Sequence, residues 1–162
     1  MKKTVLYLFV VLMVFACKKD VETLYIYDVD DVNVTQDGVN KPNVKTTTEF
    51  ISIAYSDLFN TTIDQNTLTD LSLSYAAFGD KKLIEDMIIR NFLNTTGTDI
   101  PSKSAMNADV EQFVEDTYRK FYNRDPSEFE LWQVKDMIEN DATVTPEIAY
   151  YAFMTSNEYR YY

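Results

Sequence analysis

The chain has no histidine, a single cysteine, three glycines and four prolines, and its 15 basic residues are outnumbered by 26 acidic ones. Without histidine it lacks the commonest general base and metal ligand at neutral pH. With one cysteine it can form neither an internal disulfide nor a CxxC redox pair. A formal charge of -11 excludes a nucleic-acid partner, since that function needs a clustered basic face to displace counterions from phosphates. The scarcity of glycine and proline beside 14% aromatic residues excludes collagenous, glycine-rich and generically disordered chains, because apolar material is ample to offset chain entropy. One compact domain is expected.

Long apolar runs are also scarce. The uncharged stretch Val5 to Ala16, preceded by Lys2 and Lys3, falls short of the ~20 residues a helix needs to cross a bilayer. It reads as a secretory signal covering residues 1–16. The residues that close it, Val14-Phe15-Ala16-Cys17, resemble the bacterial lipobox, in which the cysteine sulfur is diacylated and the peptidase cuts just before it. That resemblance implies a covalent lipid on Cys17 and no other cofactor. Two or more acyl chains make a stable membrane anchor, and acylation uses the only thiol. Lys18 follows the cysteine where enterobacterial retention would need Asp, which favours outer-membrane sorting. Cys17-Lys18-Lys19-Asp20-Val21-Glu22 partly resembles the export signal of Bacteroidota surface lipoproteins, and the periplasmic and cell-surface faces stay open.

Residues 17–45 read as the lipidated N-terminus and an extended acidic tether. They hold Asp20, Glu22, Asp28, Asp30, Asp31 and Asp37, with Gly38 and Pro42 as breakers. Leu24, Tyr25, Ile26 and Tyr27 are strand formers that can add to the edge of a partner's sheet. The aspartates do not make a calcium loop, because counting from Asp37-Gly38 the twelfth ligand position is Val44 rather than Glu. No metal site is expected.

The rest predicts helices, and it repeats. With a shift of 63 positions Phe50 falls on Phe113, Tyr55 on Tyr118, Leu58 on Phe121, Phe59 on Tyr122, Asn60 on Asn123 and Leu68 on Leu131. Cap signals coincide too: Thr46-x-x-Glu49 over Asp109-x-x-Gln112, and Thr62-x-x-Gln65 over Asp125-x-x-Glu128. With a shift of 61, Leu83, Met87, Ile88 and Phe92 fall on Val144, Ile148, Ala149 and Phe153. The expected fold is all-α, two pseudo-repeated three-helix halves (46–100 and 101–162) sharing one core. Helices are predicted over 47–59, 63–78, 81–94, 109–122, 126–140 and 146–155. Gly79 is expected as a C′ stop, Asp80 as the next cap and Pro126 and Pro146 at N1. Asn94 to Asn107 reads as the linker between halves.

The run Tyr118-Arg119-Lys120-Phe121-Tyr122-Asn123-Arg124-Asp125-Pro126-Ser127-Glu128-Phe129-Glu130, with Thr155-Ser156-Asn157-Glu158-Tyr159-Arg160, resembles the helical domain of phycobilisome linkers and linker-like domains of bacterial extracellular proteins. Those families share Tyr-Arg, Arg-x-Pro-x-x-x-Glu and Ser-x-Glu-Tyr. The resemblance covers the second half and implies a helical module that mediates protein assembly; pigment contacts do not transfer to a secreted chain. Arg119, Arg124, Pro126, Glu130, Ser156 and Glu158 carry the motif. A structural role is expected for them, with Arg119 or Arg124 reaching Glu130 or a helix end and Ser156 capping the last turn. Arginine is a poor acid or base, and no carboxylate pair is singled out for catalysis.

Tyr150, Tyr151, Tyr159, Tyr161 and Tyr162 crowd the C-terminus. They are candidate partner contacts along with Leu24 to Tyr27, although the terminal turn can instead fold back over the seam between halves. The expected function is a non-enzymatic outer-membrane lipoprotein. It would be an accessory or scaffold subunit that a larger envelope protein holds in secretion, insertion or nutrient-uptake machinery. The alternative is a surface lipoprotein that binds glycans through exposed tyrosines.

Overall fold

The apolar spacing of residues 46–155 is realised as seven α-helices in a computed structural model that describes residues 41–161. They are α1 (Thr47–Phe59), α2 (Gln65–Ala77), α3 (Lys81–Leu93), α4 (Lys103–Ala108), α5 (Val110–Tyr122), α6 (Glu128–Asn140) and α7 (Pro146–Met154), followed by a single 3-10 turn, Glu158–Arg160. The protein is all-α. In the first half α1, α2 and α3 pack on one another; in the second, α5 packs on both α6 and α7. Helix α3 packs on α7 across the halves.

The repeat is visible in the core. Helix α1 buries Phe50, Ile51, Ala54 and Leu58, and α5 buries Phe113, Val114, Thr117 and Phe121 at the same four positions. The one polar substitution in that stripe is satisfied locally, because the Thr117 hydroxyl donates 2.6 Å to the Phe113 carbonyl. Ile88, Ile89 and Phe92 of α3 are buried, as are Ala149, Tyr150 and Phe153 of α7. The matching helices α1 and α5 both end on a left-handed asparagine, Asn60 at φ 52° and Asn123 at φ 54°. Asparagine is among the few side chains that enter this region at low cost.

The caps confirm the expected starts at Thr46, Asp80 and Asp109 and the Pro146 N1 position. Two starts differ from expectation, by the same amount. Helix α2 is capped by Asp64, not Thr62, and α6 by Ser127, not Asp125. Aspartate outcompetes threonine as a cap. In the second half, Ser127 and Glu130 close a full capping box while Asp125 is bound by Arg119 at 2.6 Å. Pro126 therefore precedes the cap instead of occupying N1. Gly79 does not end α2 in a left-handed turn, since the C-cap is Phe78 in extended conformation. Lys81 does that work, donating to the Tyr75 and Phe78 carbonyls at 2.7 and 2.9 Å. The stretch read as linker contains α4, which Ser102 caps and a fully buried Met106 holds down.

The C-terminal turn folds back over the seam. Tyr159 has 0% exposure; its ring meets Phe50 of the first half and Phe121 of the second edge-on, at 6.0 and 5.9 Å. Its hydroxyl donates 2.7 Å to Asp57. The Lys45 amide donates 2.9 Å to the Arg160 carbonyl and Val44 bridges Tyr161, so the chain entering α1 is pinned beside the chain leaving α7. One aromatic side chain thus ties both halves together, and losing a buried ring of that size costs about 3–5 kcal/mol.

Candidate functional site

The motif residues of the second half gather at one point. The left-handed Asn123 turns the chain so that Arg124 lies where α5, α6 and the C-terminal turn meet. Its Nε and Nη2 donate to Glu158 at 2.7 and 2.8 Å, Nη1 and Nη2 to Glu130 at 2.9 and 2.7 Å, and Nη1 also to the Asp125 carbonyl at 3.1 Å. Every guanidinium N–H is thereby engaged. The planar group also lies against the rings of Tyr118 and Tyr122. Burial would raise the Glu130 carboxyl, but bonds from Arg124 and from the Ser127 amide and hydroxyl outweigh it and hold it down at about 2. The N-cap residue of the last turn is Asn157 and not Ser156; the Ser156 hydroxyl, one residue earlier, accepts the Tyr159 amide at 3.1 Å and the Tyr122 hydroxyl at 2.8 Å. Arg119 stands apart on the surface with Glu115, Asp116 and Asp125. This node is a clamp that consumes its own polar groups.

The tyrosines expected at the surface divide. Tyr150 is buried between Phe113 and Phe121, and burial pushes its hydroxyl up to about 12. Tyr159 is the seam residue described above. Neither ring is exposed, because both are packed into the core. Tyr151 is half-buried, its hydroxyl donating to Asp86 and its ring under Arg90. Tyr161 is exposed. Cys17, Leu24, Tyr25, Ile26, Tyr27 and Tyr162 lie outside the described residues.

Several large apolar side chains are exposed, among them Leu73 of α2, Leu83 and Met87 of α3 and Ile148 of α7, and an exposed aromatic pair that sequence reasoning did not single out is on α6. Leu131, Val134 and Ile138 form its inward stripe, which turns Phe129 and Trp132 to the other side. They are 65% and 61% exposed, with ring centres 6.1 Å apart. Beside them a shallow groove of about 290 Å³ is lined by Glu111, Glu128, Leu131, Trp132, Lys135, Asp136 and Glu139. Lys135 is held by Glu111 at 2.9 Å, which raises its pKa. A cleft of about 180 Å³ between α3 and α7 contains Glu85 and Asp86, both already paired: Glu85 with the Tyr75 hydroxyl and Arg160, Asp86 with Arg90 and Tyr151. The signal for Phe129 and Trp132 was available: three residues apart on a helix, they sit off the Leu131-Val134-Ile138 face.

Among the described residues no group of three or more Cys, Asp or Glu side chains is placed to hold a metal ion, and no helix is long and apolar enough to cross a membrane. Compared with known protein families, curated proteins and solved structures, the chain matches none.

Proposed function

We propose that this protein is a non-enzymatic outer-membrane lipoprotein, anchored through Cys17, that serves as an accessory or scaffold subunit of a multi-protein envelope complex. The outward face of α6 is the contact through which the helical body meets a larger partner. One observation carries this reading: Phe129 and Trp132 are exposed, and their counterparts 63 positions earlier on α2 are Asn66 and Thr69, also exposed. The two halves agree at their core positions, so the fold does not require aromatic side chains at these two sites. Exposed aromatic residues that the fold does not need are characteristic anchors of protein interfaces. The assembly role implied by the linker-like motif points the same way.

The test is extraction of membranes in mild detergent with a tagged full-length chain, followed by mass spectrometry of what co-purifies. A stoichiometric envelope protein with the wild type, lost with Phe129→Ser/Trp132→Ser, is the expected result. A partner that co-purifies equally with both forms would move the interface elsewhere, and recovery of the chain alone would remove the subunit reading.

A further inference from the structure

We propose that the α5–α6 groove receives a basic segment of the partner protein, an arginine or lysine laid over Trp132 with its aliphatic neighbours against Phe129. The inference rests on the reading of α6 as the partner contact and names the chemistry of what binds there. Glu128, Asp136, Glu139 and Glu111 surround the groove, and its one cation, Lys135, is spent on Glu111 at 2.9 Å. The repeat supplies the comparison. At the matching positions the first half carries Gln65 for Glu128, Leu73 for Asp136, Ala76 for Glu139 and Thr48 for Glu111, while the inward Leu131 is kept as Leu68. All four carboxylates and both rings are therefore peculiar to the second half, and none is needed to fold a helix pair of this kind.

Each feature selects the same ligand chemistry. An indole face attracts a cation, and a guanidinium stacks on it while its N–H groups reach carboxylates at the rim. Carboxylates on an open surface add long-range attraction for a basic chain and repel an acidic one. A neutral sugar would gain from the ring but not from Glu128, Asp136 and Glu139 around it.

Trp132 is the only tryptophan of the chain, so its emission reports on this groove alone. The full-length protein in non-ionic detergent is titrated with a capped octapeptide of alternating Arg and Leu, with the Glu/Leu octapeptide and with maltohexaose. The expected result is a saturable Trp132 response to the basic peptide only. It should weaken at least tenfold when salt is raised from 50 to 500 mM, and at least fivefold in Glu128→Gln/Glu139→Gln. Asp70→Asn/Glu147→Gln, which removes the same charge elsewhere, should leave it within twofold. No response, an equal response to the acidic peptide, a response to the sugar instead, or equal weakening by both charge variants would overturn the proposal. Failure here with Trp132-dependent co-purification intact would leave the subunit reading standing. Peptide binding without any co-purifying protein would sink that reading and keep the groove's chemistry.

Discussion

Two arginines five positions apart should respond very unequally to removal. The side chain of Arg124 is 7% exposed and bridges Glu130 and Glu158, whereas that of Arg119 is 49% exposed among three surface carboxylates. Arg124→Met leaves two carboxylates without their cation. Breaking a buried pair in this way costs about 3–5 kcal/mol. The lower end is expected, because Glu130 keeps the Ser127 amide and hydroxyl at 2.8 Å each and Glu158 is 31% exposed with Lys41 3.5 Å away. The titration of Glu130 gives the pH dependence. Arg124, together with the Ser127 amide and hydroxyl, holds its folded pKa at about 2 against an ordinary 4.5, and only the Arg124 share of that depression is lost in the variant. Because the folded value is depressed, this contribution is complete above pH ~4.5 and is lost as pH falls toward 2. Urea unfolding followed by Trp132 emission and by helical circular dichroism should show a loss of about 3 kcal/mol at pH 7, or roughly 10 °C in melting temperature. The loss should shrink steadily below pH 4.5. Arg119→Met should scarcely move the midpoint, since exposed pairs are hydrated and screened. Equal losses in the two variants, or a loss for Arg124→Met that is independent of pH, would refute the clamp.

Four further outcomes can be measured, three from the same geometry and one from the sequence. Asn123→Ala should cost about 1 kcal/mol and Asn123→Gly almost nothing, because only the alanine pays for the left-handed backbone at φ 54°; urea midpoints decide it. Burial lowers Lys45 to about 8 while it lies over the Tyr159 ring, so its neutral form suits the fold and stability should rise between pH 8 and 10, a rise that Lys45→Met should abolish. Above pH 10 stability should fall in both proteins, because Tyr159, Tyr122 and Tyr150 are all raised by burial and ionise on unfolding. Phe129→Ser/Trp132→Ser should leave the melting temperature nearly unchanged, since surface substitutions away from caps and core stay within about 0.5 kcal/mol. Cys17→Ala should shift the protein from the membrane to the soluble fraction or leave it as unprocessed precursor on a gel, and normal membrane fractionation would refute lipidation.

The helices, their repeat and most of their ends depend on residues three or four apart, and these were legible in the chain. Phe50 and Phe113, Leu58 and Phe121, and the paired Asn60 and Asn123 carry that information locally, through helical period and left-handed caps. Where two caps competed, Asp64 displaced Thr62 as the stronger cap, whereas Ser127 replaced Asp125 because Arg119 drew the aspartate away. A helix as short as α4 has no period to read; it is held by burying Met106. Tertiary structure alone decided the fate of the aromatics. Spacing cannot tell that Tyr159 is the wedge between two halves and Tyr150 a core ring, because both depend on side chains brought in from distant helices. The same holds for the two arginines, alike in sequence, of which one is enclosed by a carboxylate from the next helix and another from the chain's end. Net charge belongs to the chain as written. Which surface is left over for a partner is known only after the core has taken what it needs.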